Sequence, residues 1–267
     1  MGWSLKIGRA FGIDILVHWS FFVFIPAFFV YRGWSTENWQ TVSMLILLCA
    51  TVFACVVLHE YGHALMARRM GVKTRDIILT PIGGLARLEG MPRTPKHEFL
   101  ITIAGPLVNL VIALLALIYL WIRGLPLYPK QLSDFSQNLL WMNVILFAFN
   151  LLPAFPMDGG RILRSTLATF LGHELATTIA VILGKMFAVA FIIWGIWKQQ
   201  YGSVLIGGFV YYSAMNELAF TRYYARQKER LDNLATKTKP SPETSNAYPT
   251  GLANPEPPAP SDSQSIR

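Results

Sequence analysis

Long uninterrupted apolar runs, rather than alternation or amphipathic stripes, dominate the hydrophobic pattern of this chain. Six stretches, at roughly 15–31, 42–66, 99–122, 137–152, 175–197 and 202–219, approach or exceed the ~20 residues that an α-helix needs to cross a ~30 Å hydrocarbon core. The fourth is short and interrupted by Asn143 and Asn150, and the sixth contains Gly207, Gly208, Asn216 and Glu217. Glycine is nevertheless commoner in membrane helices than in soluble ones. The pattern predicts an all-α integral membrane protein with about six transmembrane helices. Between the second and third runs, Thr80-Pro81-Ile82-Gly83-Gly84-Leu85-Ala86 is punctuated by Pro and Gly and preceded by Ile77 and Ile78, which predicts a short re-entrant hairpin or loop. Irregular backbone at membrane depth persists only where protein or a water-filled cavity satisfies its polar groups. From about Asn233 the chain turns to Pro, Ser, Thr, Asn and Glu, a composition that buries too little surface to offset its ordering entropy. The expected organisation is a polytopic membrane domain over 1–225 and a largely disordered cytoplasmic tail over 226–267.

Composition agrees with lipid as the solvent. Of 267 residues, 53% are hydrophobic and 14% charged, against about 25% charged in ordinary globular domains. Lys6 and Arg9 precede the first apolar run as in a secretory signal, but that run ends in Tyr31-Arg32-Gly33-Trp34 without a small-x-small cleavage site, so it is expected to stay attached.

Charge then orients the chain. Arg68, Arg69, Lys73, Arg75, Arg87, Arg93 and Lys96 follow the second run, and Arg222, Arg226, Lys228 and Arg230 follow the sixth. The opposite face holds Arg32, Arg123, Lys130 and Lys198. The positive-inside rule therefore puts both termini and the 68–97 loop in the cytoplasm of a multi-pass protein, with a bacterial inner membrane as the expected location. The net charge of +8 is accounted for by topology and by attraction to anionic lipid in the bilayer, and no folded basic domain calls for nucleic acid. Cys49 and Cys55, both in the second run, lie on different helical faces and imply no disulfide framework.

Chemistry enters at His59-Glu60-Tyr61-Gly62-His63, which fits H-E-x-x-H. Two histidines four residues apart on a helix stand one turn above each other, so both rings reach one cation, while Glu60 projects about 100° away and can address an activated water. Ionisable residues at membrane depth are costly and presumed functional. His59 lies roughly 25 Å down the helix from residue 42, close to the cytoplasmic boundary. A catalytic zinc takes three protein ligands and keeps one open position, which implies one zinc per chain. Asp158 is the favoured third ligand. It ends the run Asn150-Leu151-Leu152-Pro153-Ala154-Phe155-Pro156-Met157-Asp158 at the same membrane face, where Pro153 and Pro156 stop the helix and Gly159-Gly160 permits a turn back. His18 and Cys55 are weaker candidates, read respectively as a buried or interfacial histidine and as core packing, and His97 and His173 are expected to be solvated. Asn109 reads as a hydrogen-bonding residue between helices.

Together, H-E-x-x-H at 59–63 and N-x-x-P-x-x-P-x-D-G at 150–159 resemble the site-2 protease family of intramembrane zinc metalloproteases. Val17-His18-Trp19-Ser20, Gly83-Gly84 and Ala104-Gly105-Pro106-Leu107-Val108-Asn109 extend the resemblance over about 5–225. It implies that His59, His63 and Asp158 bind zinc, that Glu60 is the general base, that Asn150 contacts substrate, and that an unwound substrate segment pairs near Gly83 and Gly84. Implied substrates are single-span membrane proteins such as transcription-factor precursors or anti-sigma factors. Many relatives carry a PDZ domain or paired CBS domains, and neither is seen in this sequence. The rival reading is a metal-ion transporter or non-catalytic metal-binding membrane protein, which would use His59, His63 and Asp158 but has no need of Glu60.

Overall fold

The computed structural model describes residues 4–23, 39–80, 83–90 and 94–237. One compact unit extends through Arg222, and Tyr223–Arg267 forms a second. The protein is mostly helical and of the multi-pass membrane type. Among the described residues, three helices are long and apolar enough to cross a bilayer: α1 (Trp39–Arg69), α2 (Pro95–Ile122) and α5 (His173–Trp197). These match the second, third and fifth predicted runs. The fourth run forms α3 (Phe135–Asn150), whose 16 residues are too few for an untilted crossing. The sixth lies in α6 (Tyr201–Lys237), where Tyr, Gly, Ser, Asn216 and Glu217 dilute the apolar run. A further helix, α4 (Asp158–Leu171), follows α3 after a turn.

The expectation of an all-α fold is corrected by a four-stranded sheet of order β1-β2-β3-β4: Ser4–Ala10, Ile13–His18, Lys73–Thr80 and Gly83–Glu89. β1 and β2 form a hairpin, with Phe11 and Gly12 at positive φ between them, and β3 and β4 form a second. β2 and β3 pair in parallel, with α1 in the crossover between them. The first predicted span therefore begins as a strand; residues 19–23 are helical, and 24–31 lie outside the described residues. Its error has a plain cause, because a short buried strand and a helix segment both read as continuous apolar sequence. The hairpin or loop expected at 80–86 is the turn of the β3–β4 hairpin, with Pro81 and Ile82 outside the described residues. At the far end, α6 continues to Lys237, and residues 238–267 of the expected tail are outside the described residues.

Packing ties the sheet to the end of α1 that carries the chemistry. Ile13 and Val17 of β2 and Ile77 and Leu79 of β3 share one face, as residues two or four apart in a strand must, and they bury against Tyr61 and Ala64. The Tyr61 hydroxyl donates to the Ala10 carbonyl at 3.1 Å. Elsewhere, Ala113, Ala116 and Leu120 of α2 pack on Leu140 of α3. The turn between α3 and α4 is backed by small residues of α5 and α6, with Phe155 against Ala180, Val181 and Ala214.

Ile77 is fully buried in the sheet–helix contact and Leu5 is 59% exposed. Ile77→Ala is expected to cost ~2–5 kcal/mol, whereas Leu5→Ala should leave stability nearly unchanged. Thermal melting of the detergent-solubilised protein checks this, and equal melting points for the two variants would contradict the docking role of Ile77.

Candidate metal centre

The last third of α1 delivers His59, Glu60 and His63 from one continuous helix, all at the level of the sheet. The two imidazoles meet edge to face, with centroids 4.7 Å apart. Asp158 arrives from another element, as the first residue of α4. Pro153 and Pro156 lie in the turn before it, and Gly159 brings the helix start so close to the Leu152 carbonyl that a Cβ there would lie 2.1 Å from it.

Three donor atoms converge. His59 Nε2 and His63 Nε2 are 3.0 Å apart, and Asp158 Oδ2 is 3.0 Å from the first and 3.1 Å from the second. The opposite ring nitrogens are engaged: His63 Nδ1 donates to the Ile101 carbonyl at 2.9 Å, and His59 Nδ1 lies 2.6 Å from Asn109 Oδ1. A carbonyl only accepts, so the proton of a neutral His63 is on Nδ1 and its Nε2 is a bare lone pair. Electron-rich atoms this close call for a cation among them. Zinc bonds of ~2.0–2.2 Å would set tetrahedral corners roughly 3.3 Å apart, so the spacing and the donor types, two imidazoles and a carboxylate, both fit that ion.

Close approach of α2 makes the cluster possible. Gly105 faces His63, and a Cβ at that position would lie 2.2 Å from Nε2. Glu60 is held apart from the donor set: its Oε2 accepts the Ala86 amide of β4 at 3.0 Å. Gly84 on the same strand leaves room for its stem, since a Cβ there would be 2.5 Å from Glu60 Cγ. A cavity of about 150 Å³ opens beside these groups, lined by His59, Glu60, His63, Asp158, Gly84 and Asn150 among others.

The structure thus brings together His59, Glu60, His63 and Asp158, with Gly84 and Asn150 at the cavity wall. Gly83 is not on that wall; it begins β4, and its carbonyl accepts from the Thr80 hydroxyl. His18 bonds Ser20 and stands outside the donor cluster, as does Cys55, whose sulfur meets Asn143. His173 is exposed as expected, but Nδ1 of His97 is buried. Two features escaped the sequence reading. Arg161 lines the cavity, signalled only by its place three residues after Asp158, and the Ala86 amide that holds Glu60 is a backbone group with no signature at all.

Comparison with known proteins gives a consistent picture. Residues 47–127 and 126–194 match the model of a family described as peptidase family M50. A zinc metalloprotease of Methanocaldococcus jannaschii is 36% identical over 226 residues, covering 81% of this chain and 61% of that protein. The Rip3 protein of Mycobacterium tuberculosis is 30% identical over 234 residues, covering 80% and 58%. The chain therefore spans about three-fifths of the length of these curated relatives. The solved structure of a site-2 protease from Methanocaldococcus jannaschii superposes with a TM-score of 0.62 at 33% identity, covering 81% of this chain and 95% of that one.

If the three donors form the metal centre, His59→Ala and Asp158→Ala should each abolish stoichiometric metal, and Gly105→Val should do so without removing any donor, by displacing the His63 ring. Elemental analysis of the purified, folded variants is the check; full metal content in Asp158→Ala would remove that carboxylate from the ligand set.

Proposed function

This chain belongs to peptidase family M50, and we propose from that premise that it is an intramembrane zinc metalloprotease that hydrolyses peptide bonds in or near the transmembrane segments of membrane-anchored proteins. One observation carries the reading: the His59, His63 and Asp158 donors converge within 3.1 Å of one another, and Glu60 stands on the same helix beside a cavity without joining them. A zinc ion held by such donors supplies Lewis-acid activation of water and of the scissile carbonyl.

The chain's own residues do the rest. Glu60 takes the proton of the attacking water and returns it to the leaving amine. With Oε2 occupied by the Ala86 amide, Oε1 is the oxygen free for that proton. The amide also fixes the carboxylate's rotation, so the base is positioned before substrate arrives. Among the described residues β4 ends the sheet, and an unwound substrate segment can pair along its outer edge beside the Ala86 amide that Glu60 holds. A peptide bond inside an intact helix is shielded by its own hydrogen bonds, so local unwinding must precede attack. Asn150, at the cavity wall, is suited to hydrogen-bond the substrate backbone.

The charge distribution supports a topology with both termini cytoplasmic and the site near that face, where water is available. Substrates of this class would be single-span regulators, such as transcription-factor precursors or anti-sigma factors. Similarity to stage IV sporulation protein FB of Bacillus subtilis, 32% identical over 128 residues that cover 46% of this chain and 40% of that protein, supports a developmental setting for such an enzyme.

A general base serves chemistry alone, so Glu60→Gln should keep its zinc and fold while hydrolysis falls by about 10²–10⁴-fold. Cleavage of a reconstituted single-span substrate, with zinc measured on the same preparations, is the assay. Wild-type rates in Glu60→Gln would defeat the protease reading, and zinc movement across vesicles without any cleavage would put a transporter in its place.

Gly84→Val tests the close fit of β4 against Glu60 and the substrate path beside it. Its Cβ would press on the Glu60 stem and its branches on an incoming strand, so cleavage should fall at least tenfold while zinc content stays whole. Parallel loss of both would indicate misfolding rather than obstruction.

A further inference from the structure

Two buried asparagines lie behind His59, and the proteolytic reaction as described above makes no use of them. Asn109 on α2 and Asn143 on α3 are both 0% exposed. Asn109 Oδ1 is 2.6 Å from His59 Nδ1, Asn109 Nδ2 donates to Asn143 Oδ1 at 2.9 Å, and Asn143 Nδ2 donates to the Leu139 carbonyl at 2.9 Å and to Cys55 Sγ at 3.4 Å. We infer that Asn109 and Asn143 are positioning residues that transmit the polarity of the Leu139 carbonyl to His59, fixing its proton on Nδ1 and reserving Nε2 for the metal.

The chain of reasoning runs from the fixed end. A backbone carbonyl can only accept, so Asn143 must turn its NH₂ towards Leu139 and its oxygen towards Asn109. Asn109 then has to offer NH₂ to that oxygen, which leaves its own oxygen facing His59. An amide oxygen only accepts, so His59 must be the donor at Nδ1. Reversing any link would set donor against donor or acceptor against acceptor at full burial, where an unsatisfied polar group is costly. His63 obtains the same tautomer in one step, from the Ile101 carbonyl. The two ligands are thus set alike by different routes, one through a backbone carbonyl and the other through two side-chain amides that cross from α3 to α2 to α1. Outer partners of this kind fix ring orientation as well as tautomer.

A purely structural pair, stapling α2 to α3, would show the same distances. The contrast between two variants of Asn109 separates the roles. Asn109→Leu removes the acceptor for His59, whereas Asn109→Asp keeps an acceptor for His59 while losing the NH₂ that bonds Asn143. Both break the staple. The inference rests on the metalloprotease reading, but its readout is metal affinity of the folded, uncleaving protein, measured by zinc competition with a chromogenic chelator, with the visible spectrum of the cobalt-substituted form recorded in parallel. Expected results are a loss of about 10–100-fold in affinity for Asn109→Leu and Asn143→Leu, a changed cobalt spectrum in both, and near wild-type affinity for Asn109→Asp. Wild-type affinity in Asn109→Leu, or an equal loss in Asn109→Leu and Asn109→Asp, would overturn it. If the leucine variants do not fold, Asn109→Asp decides alone, because an acceptor role predicts zinc retained and a staple role predicts zinc lost. A wild-type protein that binds zinc tightly yet cleaves nothing would defeat the protease reading and leave this comparison standing.

Discussion

Lone pairs of two imidazoles and a carboxylate, held about 3 Å apart among apolar helices, repel one another unless a cation lies between them. In water such groups would separate or be screened; here the surrounding structure prevents both. The Ile101 carbonyl and Asn109 grip the outer nitrogens of the two rings, Gly105 lets α2 close on His63, and the turn from Leu151 to Met157 aims Asp158 inward. Each device uses a group that an apolar helix can spare: a backbone carbonyl, an absent side chain, or an amide whose remaining valences are met by another amide.

The sheet extends the same logic to the base. Its buried face, Ile13, Val17, Ile77 and Leu79, docks on α1 through Tyr61 and Ala64, residues interleaved with the histidines and Glu60. Ala64 lies one turn beyond Glu60 on the same face of α1, so the helix face that binds the sheet also carries Glu60, while His59 and His63 point to the side of α2 and α4. Docking in this register puts β4 against Glu60, so the strand proposed to receive a peptide also holds the carboxylate proposed to act on it.

Asp158 needs its own anchoring, because it belongs to α4 and not to the helix of the histidines. Arg164, on α4, is nearly buried and meets Glu98 at the start of α2, with Nε 2.9 Å from Oε1, and Glu217 of α6 at 2.5 Å. Its guanidinium also lies 5.0 Å over the Phe155 ring, in the turn before Asp158. A planar, permanently charged group with several donors suits such a junction. Three helices and the turn are thereby joined within two helical turns of Asp158.

Legibility from the amino-acid sequence followed the range of the forces involved. His59, Glu60 and His63 share a helix, and one turn of α-helix has a fixed geometry, so their cooperation was readable from spacing alone. Asp158 was readable through its motif and a shared membrane face, and the long apolar runs of α1, α2 and α5 announced themselves by length. The sheet was not readable, because β1 and β2 are distant in sequence from β3 and β4, and their pairing is a long-range event that local hydrophobicity cannot distinguish from the start of a helix. Asn143 looked like an interruption in a membrane span and Asn109 like generic glue, since the meaning of an amide lies in what faces each of its two ends. Which atoms meet the outer nitrogens of the two histidines, and which backbone amide holds Glu60, depend on helix packing and strand docking across more than twenty residues of chain. The sequence by itself determined which groups carry the chemistry; the tertiary structure decided their tautomers, rotations and separations, because those are set by contacts between elements and not within them.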